Sequence, residues 1–177
     1  SIKNKIRSLE DNWNNCIIMN GVGNEYVYVD DEEYFAACKT LISQLGVEKI
    51  IFTGIVDVAE YIKKIDFVIL TSISEGQPLS VLEAFAAGRA CVTTDVGCCR
   101  ELIEGDDGLE NAGICVPPMN KEQLAQAMLE LCREPALRRK MGQAGRERVN
   151  RFYTHEISME NYRRLYQEIA KAEEIRK

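Results

Sequence analysis

The sequence predicts an α/β domain: a parallel sheet with helices packed against its faces. Three observations carry this. Short apolar runs rich in Ile, Val and Phe recur along the chain. They lack polar alternation, as expected of strands covered on both faces. Segments with helical spacing separate them through short connections, the pattern of strand–helix–strand units.

In chain order, residues 1–10, SIKNKIRSLE, read as part of an amphipathic helix rather than a secretory leader. Strands are expected at 16–20, 49–52, 67–71, 90–94 and 114–116, with helices at 31–45, 58–64 and 79–87 and a turn or two at 100–104. NGVGNEYVYV, at 20–29, is read as a loop after a strand, because its GxG lacks the third glycine of a dinucleotide fingerprint. Pro117 and Pro118 stop the last strand. Asn120 then suits an N-cap with Gln123 three residues on, and Leu124, Ala127, Met128 and Leu131 form an i, i+3, i+4, i+7 stripe. Pro135 suits the first turn of another helix that carries Leu137, Met141 and Ala144 inward. Thr154 caps a last helix with Tyr162, Leu165, Tyr166 and Ile169 on its apolar face. The aromatic stripe from Tyr153 to Tyr166 reads as core packing, with part of that face left uncovered, and the charged tail 171–177 is expected to fray.

Composition sets the outer limits. With 177 residues the chain is one domain, or one domain with an appendage, and needs no covalent staples for its core. Apolar residues at 46% and charged residues at 28% exclude a disordered or fibrous chain. A net charge of −6 argues against a general nucleic-acid binder but leaves room for a local cationic pocket. No apolar run approaches the roughly 18 residues of a membrane helix. The seven cysteines (16, 38, 91, 98, 99, 115, 132) are odd in number, form no CxxC motif and mostly sit in apolar runs, which suits a reducing cytoplasm. Vicinal Cys98 and Cys99 read as small residues in a tight turn after Gly97, ahead of a redox pair or metal site. His155, the only histidine, falls at a helix start and reads as a surface or capping residue. The basic run 133–151 is interleaved with Glu134 and Glu147 and reads as a solvated face.

Chemistry concentrates in residues 66–101, DFVILTSISEGQPLSVLEAFAAGRACVTTDVGCCRE. A buried strand ends in a polar turn and a helix follows. In open α/β sheets the ligand crevice lies beyond the carboxyl ends of the strands, which puts the turn at 72–78 on its rim. Gly76 permits close backbone approach, Pro78 suits the first helical position, and the amides near Gln77–Ser80 are uncapped donors for a phosphate or sugar oxygen. Glu75 and Glu83, with seven residues between them, reach the same crevice from different depths. A carboxylate accepts two hydroxyls at once, as vicinal diols require. The plainer alternative is that Glu83 pairs with a cation near its own helix, such as Arg89.

Glu75-x7-Glu83 within SEGQPLSVLEAFAAG, followed by VTTDVGCCREL, resembles the donor-binding half of retaining family-four glycosyltransferases. TDVGCCRELIEG is closer still to the Pel exopolysaccharide (PelF-like) subfamily. FTG at 52–54, GICVPP at 113–118 and the ending LRRKMGQAGRERVNRFYT extend the resemblance over nearly the whole chain. It implies the carboxyl-terminal half of a GT-B fold: a Rossmann-like, doubly wound domain over 1–153 and a crossover helix over 154–177. It also implies a site. Glu83 would hold the ribose hydroxyls of a nucleotide diphosphate sugar, with UDP-glucose the first choice. Glu75, as catalytic residue, would hold hydroxyls of the transferred hexose. Gly76, Gln77, Pro78 and Leu79 would bind sugar and diphosphate through backbone groups, Gly54 and Ser72 would border the base, and the loop at 95–99 would shape the pocket.

No cofactor or metal is implied, and neither nucleic acid nor a membrane span. The partners would be the sugar donor, a saccharide acceptor held by an amino-terminal domain, and a membrane synthase complex met peripherally. The first strand of the family pattern, with its Arg/Lys pair, and the acceptor domain have no counterpart in these residues, so the chain alone is expected to be inactive. Two alternatives stay open: a nucleotide-binding or regulatory module of similar fold without transferase activity, and a sugar-nucleotide epimerase.

Overall fold

The computed structural model describes residues 30–47, 50 and 57–175. The expected helix at 1–10, the strand at 16–20, the loop at 20–29, Gly54 and all of the strand at 49–52 except Ile50 lie outside the described residues. The elements are α1 (Asp30–Leu45), α2 (Val58–Tyr61) with a 3-10 turn (Ile62–Lys64), β1 (Phe67–Leu70), α3 (Leu79–Ala86), β2 (Ala90–Thr94), α4 (Cys99–Glu104), β3 (Gly113–Val116), α5 (Lys121–Arg133), α6 (Pro135–Phe152) and α7 (His155–Ile175).

β1, β2 and β3 lie side by side in that order, all parallel, with Phe67 opposite Ala90 and Val92 opposite Ile114. Successive side chains of a strand point to opposite faces, and the core divides accordingly. One cluster joins Val68, Leu70 and Cys91 to α3 (Val81, Ala84, Phe85) and α4 (Cys99, Leu102, Ile103). The other joins Phe67, Ile69, Val92 and Val116 to Ala127 and Leu131 of α5. The expected alternation of strand and helix and the sheet covered on both sides are therefore present. The strands that would complete the second winding fall outside the described residues.

Local signals mostly act as the sequence indicates. The Asn120 side chain accepts the Gln123 amide at 3.0 Å, Pro135 opens α6, and the Thr154 hydroxyl accepts the Ile157 amide at 3.3 Å. Leu137 and Met141 pack on the second cluster, and Ala144 is buried. Four expectations need correction. Pro78 is the N-cap of α3, not its first residue, because its extended ψ of 114° places helix entry at Leu79. The stripe on α7 is not core: Tyr162, Leu165, Tyr166 and Ile169 are all exposed. The helix also continues into the charged tail as far as Ile175. Finally, the basic run 133–151 is not uniformly solvated, since Arg148 within it is only 2% exposed.

α6 packs closely on α3 and on the turn before β2. A Cβ at Gly142 would lie 2.1 Å from the Gly88 carbonyl oxygen, and one at Gly145 would lie 2.5 Å from the Phe85 ring. Among the described residues, no helix is long and apolar enough to cross a membrane.

Candidate functional site

The carboxyl ends of three parallel strands open into three connections on one edge: 71–78, 95–98 and 117–120. Ser72, Glu75, Gly76, Gln77 and Pro78 occupy the first connection, Leu79 opens α3, and Glu83 stands one turn further on. Gly54 lies outside the described residues.

The first two connections are locked together through their backbones. The Thr94 hydroxyl donates to the Ser72 carbonyl at 2.5 Å, and the Cys98 amide donates to the Gly76 carbonyl at 3.1 Å. Gly97, at φ +54°, fits so tightly that a Cβ there would stand 2.3 Å from the Glu75 carbonyl oxygen and 2.5 Å from that of Gly76. At Gly76 itself a Cβ would meet open space. The glycine that this geometry requires is thus Gly97. Sequence reading placed the 95–99 loop near the pocket but missed the role of its glycine, whose partners lie some twenty residues upstream.

The side chains of the turn stay unengaged. Among the described residues, neither Glu75 nor Glu83 has an ion-pair or side-chain hydrogen-bond partner. Pairing of Glu83 with Arg89 is not what forms: Arg89 donates to the carbonyls of Ile62 at 3.2 Å and Lys63 at 2.7 Å. On α3, Val81, Ala84 and Phe85 are buried, whereas Leu79, Glu83 and Ala86 form an exposed i, i+4, i+7 stripe. Leu79 is 69% exposed, and Ile73 and Met119 on neighbouring connections are 76% and 79% exposed. No side chain caps α3 at Pro78, so the Leu79 and Ser80 amides keep their donors and their share of the helix dipole, while the Val81 amide donates to the Pro78 carbonyl at 3.2 Å.

The nearby cation is already matched. Arg100 donates to Asp95 at 3.0 and 2.7 Å and to Glu104 at 2.5 Å. The Arg100 hydrogen bond holds the Asp95 carboxyl below the usual carboxylate range. The thiols are neutral: burial pushes up Cys98, Cys99, Cys115 and, furthest, Cys91. Cys98 is the N-cap of α4, and Cys99 is buried beneath the turn, as the space-filling reading expects. No group of three or more potential metal ligands occurs among the described residues. His155 is exposed on α7.

Comparison with known proteins gives the family. The pattern of the glycosyl transferases group 1 family matches residues 2–148. The chain belongs to the glycosyl transferases group 1 family. It is 29% identical over 154 residues to N-acetyl-alpha-D-glucosaminyl L-malate synthase of Bacillus anthracis, a match covering 86% of the chain and 39% of the relative. Sucrose-phosphate synthase from Thermosynechococcus elongatus superposes with a TM-score of 0.73 at 20% identity, over 96% of this chain and 42% of that one. Anabaena HepE, solved in complex with UDP, superposes with a TM-score of 0.69 at 20% identity, over 79% and 38%. The glycosyl transferases group 1 domain described here thus has the α/β fold of GT-B glycosyltransferases and spans about two fifths of the length of these relatives.

Proposed function

We propose that this domain binds the nucleotide-sugar donor, UDP-linked as first choice, of a retaining hexosyltransferase that builds polysaccharide. The observation that carries the reading is the locked turn at 72–78. It leaves Glu75, Glu83 and the uncapped amides of α3 free of other partners on one edge of the sheet. Glu83 takes the ribose diol, Glu75 takes hexose hydroxyls, and Gly76, Gln77, Pro78 and Leu79 present backbone groups to sugar and diphosphate. Ser72 borders the base, together with Gly54.

In the step proposed, the bond from the anomeric carbon to the diphosphate oxygen breaks as the acceptor oxygen bonds to the same face. The acceptor proton passes to the leaving diphosphate. The protein's part is electrostatic: fixed donors stabilise the departing charge without reorganising. Because Arg100 is already matched by two carboxylates, the further positive charge is assigned to an Arg/Lys pair in a longer protein rather than to a metal. The uncovered face of α7 suits a crossover helix, residues 154–177, lying against an acceptor-binding half. The PelF-like subfamily and peripheral contact with a membrane synthase complex belong to the same proposal and rest on the resemblance carried by TDVGCCRELIEG, whereas a cytoplasmic location rests on the cysteines in apolar runs.

The test is calorimetric titration of the longest form the gene encodes with UDP-glucose and other nucleotide sugars. Glu83→Ala is expected to weaken donor binding by about 1.5–3 kcal/mol, roughly ten- to a hundredfold. Undiminished affinity removes the ribose role. Binding of nucleotide sugar without any transfer to saccharide acceptors points instead to a regulatory module.

A further inference from the structure

α4 connects the candidate site to a buried arginine at the opposite edge of the sheet. Its amino end is at the site, where the Cys98 amide holds the Gly76 carbonyl and Gly97 touches the Glu75 and Gly76 carbonyls. Its carboxyl end is at Arg148 of α6. That guanidinium donates to Leu102 at 2.9 Å and Ile103 at 2.8 Å through Nη1, and to Glu104 at 3.1 Å and Glu110 at 3.2 Å through Nη2. Nε and Nη2 also grip Asp107 at 2.6 and 3.1 Å. The last three carbonyls of α4, which have no intrahelical donors, all accept from this one side chain, and that of Ile103 also accepts the Ala112 amide at 2.8 Å.

Gly105 completes the joint, since a Cβ there would stand 2.9 Å from Arg148 Nε and Nη2. α4 has six residues and spans about 9 Å, too short to absorb a displacement by bending. With Cys99, Leu102 and Ile103 buried along it, a shift at one end is a shift at the other.

We propose that Arg148 is a positioning residue for the Glu75–Gly76 turn, acting through α4 without touching any ligand. The donor-binding part of this inference rests on the function proposed above. The held turn itself does not.

Arg138 supplies the control. It too donates to the carbonyls that end a helix, those of Leu131 and Cys132 in α5, and pairs with a carboxylate, Asp66, at 2.9 Å. Leu131 and Cys132 lie at the end of α5, and Asp66 stands at the end of β1 opposite the 72–78 turn. Arg148→Lys and Arg138→Lys both keep a charge and lose the planar fork.

The experiment measures native-state hydrogen exchange at the Cys98 amide and nucleotide-sugar affinity for both variants, in the longest form the gene encodes. Exchange is normalised to the global stability of each variant. Arg148→Lys is expected to speed Cys98 exchange about tenfold and to weaken donor binding to a similar degree, while Arg138→Lys leaves both within about twofold. Equal effects of the two substitutions on Cys98 exchange, or none from either, overturn the proposal. If Arg148→Lys does not fold, Asp107→Asn removes the arginine's charged partner and is expected to speed Cys98 exchange about threefold. No change there overturns it equally. A protein that binds no nucleotide sugar refutes the donor reading, while the exchange comparison still decides what Arg148 does.

Discussion

The amino-terminal edge of the sheet is held by arginine side chains, whereas at the carboxyl-terminal edge the 72–78 turn is held by contacts to its main-chain carbonyls. At the first, Arg89 ties the turn before β2 to the carbonyls of Ile62 and Lys63. Arg138 joins the end of α5 to Asp66, just ahead of β1, and Arg148 closes α4. At the second, Gly97 is pressed against two carbonyls, and the groups of Thr94 and Cys98 reach across to the neighbouring turn. Fixing an edge through its backbone leaves the side chains that project from it uncommitted. That is why Glu75 and Glu83 have no partners among the described residues, while the arginines of the opposite edge are fully engaged.

The contrast can be broken from either side. The largest effect is expected from Arg148→Met, which leaves the buried Asp107 carboxylate with only the Leu109 amide as donor and takes the guanidinium from the carbonyls of Leu102 and Glu104. A loss of about 3–5 kcal/mol should appear in urea denaturation. At the other edge, Gly97→Ala puts a Cβ into two carbonyl oxygens at a positive φ. It should cost roughly 2–3 kcal/mol, with Gly76→Ala, facing open space, within about 0.5 kcal/mol in the same assay.

Acid titration is the next, smaller test. Hydrogen bonds from Arg148 hold the Asp107 carboxyl at about 2. A depressed folded-state value gives stability that is complete above the ordinary carboxylate range, near 3.9, and is lost as the pH falls through that range towards about 2. Asp107→Asn should therefore flatten the fall of Tm between about pH 4 and 2. Least of all, Arg100→Ala removes two exposed ion pairs at the open edge and should leave Tm unchanged within experimental error.

These two modes of construction differ in how far the sequence announces them. Strands buried on both faces read as unbroken apolar runs, so FVIL and ACVTT were legible, as were the caps at Asn120 and Thr154, which act within three residues, and the helix start at Pro135. The Glu75 and Glu83 spacing was legible because turn and helix are contiguous. The contact of Gly97 with Glu75 and Gly76 joins two connections across a strand pair, and nothing local marks it. Arg148 was hidden differently: its backbone partners lie 38–46 residues away, and it sits within a charged run whose other members are largely solvated. The exposed face of α7 was only half legible, because helical spacing shows that a stripe is apolar but not what covers it.

The seam between the 72–78 turn and the 95–98 loop has a practical consequence for chimeric enzymes. A graft of SEGQPL alone onto a homologous scaffold would place a foreign turn against a glycine shaped for another backbone. The exchangeable cassette is the pair, VTTDVGCC together with the turn it clasps, and an engineer replacing the turn has to move both segments at once.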